Sequence, residues 1–284
     1  MVKKVWIHGP IAVDTVLYLA NFPAPGSFMN SLRKEERIGG TAANVALGLC
    51  TADVETGLVG YLGRDINGKK LQEILDKSLI KDKYITYIDG ETSHAVILVD
   101  DNSERTIIST TVPYLRQLRM DGVPVQNGDV VAFILWREEF CEDLQKMNSA
   151  GCFTVVGAGA LSDPMVEHAD LLIGSYADFP GDIDPKNHLN RFGQIVLTRG
   201  IDGSSSYTSQ GELHQSAMKV DAVDSTGAGD AFIAGYLAGL AHGLNIPQIL
   251  QIAAQWAASS VQVKSSVPPA FENVKQEWGI RLIP

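Results

Sequence analysis

The chain of 284 residues is 45% hydrophobic and 20% charged, which is ordinary for a folded globular protein and leaves no room for a disordered chain. Its formal net charge of −10 and pI near 5.0 exclude a general binder of nucleic acid or anionic membrane, whose footprint is a basic patch or stripe. A small phosphorylated ligand, which needs only local positive potential, remains compatible with that charge.

Val5-Trp6-Ile7-His8 before Gly9-Pro10 reads as a first buried strand, with Asp14 a few residues beyond its carboxyl end, where open α/β sheets bind ligands. The same residues interrupt the apolar run after Lys3 and Lys4, unlike a signal peptide, and no run reaches the ~18 apolar residues of a membrane span. From Gly26 to Ile38 the composition turns polar with loose alternation, a small β excursion. Gly39-Gly40-Thr41-Ala42-Ala43-Asn44 then opens a helix with its apolar stripe at Ala42, Val45, Ala46 and Leu49. Val54 to Tyr61 is the next strand, and Leu71, Ile74, Leu75 and Leu79 mark a helix from about Asn67 to Ser78.

His94 to Val99 and Arg105 to Ser109, joined by Asp100 to Glu104, read as a hairpin that completes the β excursion. Beyond Asp129 short apolar runs alternate with helical stretches. Strands are expected at Val130 to Leu135, Cys152 to Val156, Leu171 to Gly174 and Ile195 to Leu197, with a helix marked by Phe140, Leu144 and Met147 and a short one near Asn187 to Phe192. Apolar strands separated by helices imply a mostly parallel sheet covered on both faces. Ser204 to Tyr207 and Glu212 to His214 form a second hairpin, Lys219 to Val223 a strand, and two helices, Ala231 to Leu244 and Pro247 to about Lys264, end the chain. No stretch is rich enough in Pro, Gly or Ser to divide domains.

Asp224-Ser225-Thr226-Gly227-Ala228-Gly229-Asp230 is a strand–turn–helix junction built for an anion. Its glycines permit a sharp turn, and the unpaired N–H groups of the helix's first turn converge with the positive end of the dipole behind them. Asp230 inside that turn either complements the dipole or serves a substrate hydroxyl as general base. G-x-x-x-x-G-K-[ST], an early G-x-G-x-x-G, G-x-S-x-G and H-E-x-x-H are all absent, and the six histidines lack metal-ligand spacing. Cys50, Cys141 and Cys152 form no C-x-x-C, so a disulfide framework or zinc site is not expected and a reducing cytoplasm is.

Asp14, Gly39-Gly40, Asn44, Thr198-Arg199-Gly200 and Asp224 to Asp230, in this order and spacing, resemble the ribokinase or PfkB family of carbohydrate kinases over nearly the whole chain. The resemblance implies one ribokinase-like α/β domain over 1–284 with a β lid formed by about 12–38 and 86–110. It implies ATP-dependent phosphorylation of a sugar hydroxyl, a ketose or modified sugar before a nucleoside, with Mg²⁺ as cofactor and no nucleic-acid or membrane partner. Asp230 would be the base, and the N–H groups around Gly227, Ala228 and Gly229 would hold the transferring phosphoryl group. Asp14, Gly39, Gly40 and Asn44 match sugar-binding positions; read alone, Asp14 is equally a turn former and Asn44 a solvent-facing helix residue. Thr198, Gly200, Gly203, Thr226 and Gly227 match nucleotide-facing positions, although Thr198 and the glycines also suit an ordinary strand-end turn. Arg105 matches an anion contact in the lid and is equally readable as a solvated hairpin charge.

The family pattern Asn-x-x-Glu is replaced by Ser175-Tyr176-Ala177-Asp178, which leaves Asp178 to act on the metal through water, and Gly157 stands where relatives often carry Asp. Ser265-Ser266 replaces a glycine-containing stretch, so a monovalent-cation site is left open. The competing reading is a kinase-fold regulator that binds sugar or nucleotide with little turnover. The exposed β surface of the lid suits pairing with a second copy.

Overall fold

The computed structural model describes residues 4–101, 105–110, 115–179 and 183–282; Asn102 to Glu104, the expected hairpin turn, lie outside them. In chain order the strands and helices are β1 (Val5–His8), β2 (Ala12–Tyr18), β3 (Arg33–Gly39), α1 (Thr41–Leu49), β4 (Thr56–Gly63), α2 (Ile66–Asp76), β5 (Asp82–Ile88), β6 (Ser93–Val99), β7 (Arg105–Ser109) and β8 (Val130–Phe133). They continue with α3 (Cys141–Ser149), β9 (Phe153–Gly157), β10 (Ala169–Ser175), β11 (Phe192–Thr198), β12 (Ser204–Thr208), β13 (Gly211–Gln215), α4 (Ala228–Ala241), α5 (Ile246–Val261) and α6 (Phe271–Trp278).

Nine strands form one sheet in the order β13-β12-β11-β10-β9-β8-β1-β4-β5, parallel from β11 to β5 and closed at one side by the antiparallel hairpin β12–β13. Successive residues of a strand face opposite layers, so Val5 and Ile7 join the core under α1, α4 and α5, while Trp6 joins the core on the α3 side. Both faces being covered is why β1 and β8 are buried at every position.

A separate four-stranded sheet has the order β3-β2-β6-β7, with β2 and β6 parallel and the outer pairs antiparallel. Each excursion into it leaves from a carboxyl end of the large sheet, after β1 and after β5, so the small sheet is tethered beside that edge. Its outer strands β3 and β7 are largely exposed, and β3 is polar, which is why loose alternation marks it in the sequence.

Three expectations are corrected and one strand is added: the helix expected near Asn187 to Phe192 is a 3₁₀ turn at Pro185–His188, and Phe192 opens β11. Asp82–Ile88 is a strand, an edge strand whose half-exposed Asp-Lys-Tyr-Ile-Thr-Tyr-Ile lacks the continuous apolar run of its neighbours. A third helix, α6, follows α5 and is held by its Phe271 and Val274 side chains and by the tilted contact of the Phe271 and Trp256 rings, centroids 4.7 Å apart. Lys219 to Val223 is not a strand: it has no ladder, and only Val223 and Asp224 donate their N–H groups to the Val261 carbonyl.

Helix α4 consists almost wholly of small and apolar residues and is buried along most of its length against the sheet, α1 and α5. It begins at Ala228, three residues earlier than its apolar pattern suggests, which puts Asp230 at the third helical position. Removing the Phe271 ring, which is 2% exposed, is expected to cost about 3–5 kcal/mol of stability, read as a lower urea midpoint for Phe271→Ala with the slope unchanged.

Candidate active site

Gly227 caps α4 in the left-handed region, with φ 82°, and a side chain there would meet the Ser266 carbonyl. No side chain caps this helix end. The N–H groups of Ala228, Gly229 and Asp230 therefore lack intrahelical acceptors, while Ala228 N–H reaches only the Ser225 carbonyl at 3.4 Å. Gly229 is exposed with nothing near the place of a Cβ, so the turn opens freely on its outer side. The arrangement is an anion cradle with the helix dipole behind it.

Asp230 stands at this turn, and its Oδ2 accepts from Asn44 Nδ2 at 2.8 Å. Asn44 sits in the first turn of α1, so the N-termini of α1 and α4 meet across this bond. Part of Asp230 stays open to the cleft, yet protein surrounds the carboxylate closely enough that lost hydration raises its pKa to about 7. The Asp14 charge adds to that rise, while the Asn44 bond and the Arg105 charge oppose it. Asn44 is only 3% exposed and its Oδ1 has no hydrogen-bond partner among the described residues, a buried acceptor left unsatisfied.

Asp14 lies inside β2 and is not a turn former: it pairs across the sheet with Arg37 of β3. Burial raises its pKa to about 6, opposed by the Arg37 charge. Its carboxylate occupies the space that a side chain on Gly39 would fill, 2.1 Å from the ideal Cβ position. Gly40, with φ 86°, caps α1 where a Cβ would meet the Pro10 carbonyl. Both glycines are thus required by the protein's own packing, and Asp14, Asn44 and Asp230 lie close together beside them.

The small sheet reaches the anion turn through two arginines. Arg105 Nη1 donates to Ser225 Oγ at 3.0 Å, and Arg37 Nη1 donates to Asp224 Oδ2 at 2.8 Å. Arg37 was not picked out from sequence; its signal is a charge at the only position of the polar β3 pattern that lies directly across from Asp14.

Thr198, Gly200 and Gly203 share one turn at the carboxyl end of β11, where Thr198 lies beside Ser175 of β10. Gly203 is held by packing against the Gln215 carbonyl, and Thr226 is buried with its N–H on Asp224 Oδ1 at 2.9 Å. Asp178 is exposed and its Oδ2 accepts from Ser175 N–H, with Ser175 Oγ accepting from Ala177 N–H, so this pair caps a short 3₁₀ turn. Gly157 has a plain steric reason: a Cβ there would lie 2.2 Å from the Ile134 carbonyl oxygen.

The sequence profile described as pfkB family carbohydrate kinase matches residues 3–272. The chain belongs to this family. The ATP-dependent ribose-1-phosphate kinase of Halopiger xanaduensis is 26% identical over 255 residues, covering 83% of this chain and 84% of that protein. The nucleoside kinase of Methanothermobacter thermautotrophicus is 25% identical over 299 aligned positions, covering 95% of each. Among solved structures, Arabidopsis thaliana ribokinase complexed with ribose and ATP has a TM-score of 0.81 at 22% identity, covering 99% of this chain and 100% of that one. The fold is therefore ribokinase-like, and the chain is a phosphotransferase of the pfkB family.

For a pfkB kinase the donor set bears on the metal. No three His, Cys, Asp or Glu side chains come together as a cage among the described residues. No helix among the described residues is long and apolar enough to cross a membrane.

If Asp230 accepts the proton in turnover it must be ionised, and kcat/KM is then expected to fall as pH drops through about 7. Asp14→Asn removes a like charge and is expected to move this limb to lower pH, whereas Arg105→Gln moves it higher; pH–rate profiles of the three proteins check both directions. A limb unmoved by Asp14→Asn would show that the two carboxylates do not interact.

Proposed function

We propose that this chain catalyses ATP-dependent phosphorylation of a hydroxyl group on a small carbohydrate, with a ketose or modified sugar as the acceptor class. The observation that carries this reading is the Asp230 carboxylate, set in the uncapped first turn of α4 and oriented by Asn44 at 2.8 Å. Asp14 and the unpartnered Asn44 Oδ1 take acceptor hydroxyls, which brings one hydroxyl to Asp230. Asp230 removes its proton as the oxygen attacks the terminal phosphorus. N–H groups from Gly227 to Gly229 stabilise charge on the transferring group, the larger contribution in a loose phosphoryl-transfer transition state. Thr198, Gly200, Gly203 and Thr226 form the nucleotide side, and Arg105 steers an anionic part of the acceptor.

When bound, Mg²⁺ supplies charge neutralisation on the phosphates; Asp178 would face it through water, using the oxygen that does not cap the 3₁₀ turn. The names of the two relatives support ATP as donor and a nucleoside or ribosyl compound as the alternative acceptor. The outer face of the small sheet, with Leu17, Ile38, Val96, Leu98 and Ile108, is the surface through which two copies would pair.

An ADP-release assay across ketoses, pentoses, nucleosides and sugar phosphates, with ligand binding measured in parallel, tests the reading. Asp230→Asn is expected to lose roughly 10²-fold or more in turnover while keeping its affinity for ADP. Near wild-type turnover in that variant would remove Asp230 from the role of base, and binding without ADP release for every compound would favour a sugar- or nucleotide-binding regulator.

A further inference from the structure

We propose that Arg37 is a positioning residue of the phosphate-binding turn: carried on the small sheet, it orients Asp224 and thereby sets the path from Asp224 to Gly227. Arg37 touches neither of the two carboxylates of the acceptor side by hydrogen bond. Its side chain is 10% exposed and uses its planar fork fully. Nε and Nη2 donate to Glu35 Oε2 at 3.1 and 2.6 Å, and Nη2 also donates to the Tyr18 hydroxyl at 2.6 Å. Glu35 and Tyr18 lie on the same face of the small sheet as Arg37, so the guanidinium is aimed before it meets the turn. The remaining nitrogen, Nη1, points out of the small sheet at Asp224 Oδ2, 2.8 Å away.

Asp224 relays that constraint. Its Oδ1 accepts from Thr226 N–H at 2.9 Å, its own N–H is fixed to the Val261 carbonyl, and its side chain is 7% exposed. A carboxylate so enclosed is tolerable only while its counter-charge is present. Without Arg37 it would turn toward water, release Thr226 N–H and loosen the residues that lead into the Gly227 cap. The neighbouring contact, Arg105 to Ser225, involves an exposed arginine and a hydroxyl and cannot replace a buried ion pair. The anion cradle on α4 is therefore complete only when the small sheet is seated on the large one.

The kinetic part of this inference rests on the kinase reading; a second measurement does not. In the full chain, Arg37→Ala is expected to lower kcat roughly 10²-fold. The fall in kcat should exceed any change in acceptor KM or in affinity for ADP, because the loss falls chiefly on transition-state charge. Hydrogen exchange read by mass spectrometry should rise about tenfold in the peptide spanning 224–229 while peptides of β10 and β11 stay unchanged. Methylguanidinium at low millimolar concentration should recover turnover and protection, and urea at the same concentration should not. Should Arg37→Ala not fold, Arg37→Lys and Asp224→Asn carry the same readouts: the lysine keeps charge without the fork and is expected to leave the turn amides partly exposed. Unchanged exchange at 224–229, or a loss confined to acceptor KM, overturns the proposal. A wild-type chain with no turnover on any acceptor counts against the proposed function alone, since the exchange comparison still reads Arg37.

Discussion

A carboxylate held among protein atoms with a second carboxylate nearby is the constraint on which the site depends. Asp230 and Asp14 both resist ionisation, to about 7 and about 6, for the same first reason, lost hydration. Three features offset this cost: the N-terminus of α4 beneath Asp230, the Asn44 amide at its Oδ2, and the Arg37 charge facing Asp14. Each depends on a close approach of backbones. Helices α1 and α4 open with the small residues Thr-Ala-Ala-Asn and Ala-Gly-Asp-Ala, so their first turns can meet at the edge of the sheet, and Gly39 leaves its side-chain space to the Asp14 carboxylate.

The two sheets divide the chemistry. The large sheet and its helices carry the groups that must not move, Asn44, Asp230 and the cradle around Gly227. The small sheet carries Asp14, Arg37 and Arg105, which touch or face those groups from the other side.

Much of the site was legible because glycine-rich turns before small-residue helices leave a dense signature, and Asp14, Asn44 and Asp230 do converge in the folded chain. The fold class was legible for a similar reason, since buried parallel strands are uninterrupted apolar runs. Where tertiary context overrides local pattern, the reading failed. Asp82–Ile88 is an edge strand and needs only one apolar face. Lys219 to Val223 alternates like a strand, yet the β12–β13 hairpin already ends the sheet and offers it no partner. Arg37 was invisible because its meaning lies in Asp224, a residue with which no local periodicity connects it. The Ser175–Asp178 and Gly157 departures gain physical reasons, a 3₁₀ cap and a close carbonyl, that the sequence alone does not state.

The Arg37–Asp224 and Asn44–Asp230 bonds join residues 187 and 186 positions apart. During synthesis the first 110 residues can bring Arg37 onto Glu35 and Tyr18, yet the partners of Arg37 Nη1 and of the Asn44 amide do not yet exist. At translation rates of about 5–20 residues per second, the roughly 120 residues that follow take about 6–24 s. The nascent chain must therefore keep Arg37 Nη1 and the Asn44 amide hydrated until the 224–230 turn emerges, so assembly of the catalytic cleft is a late event in folding.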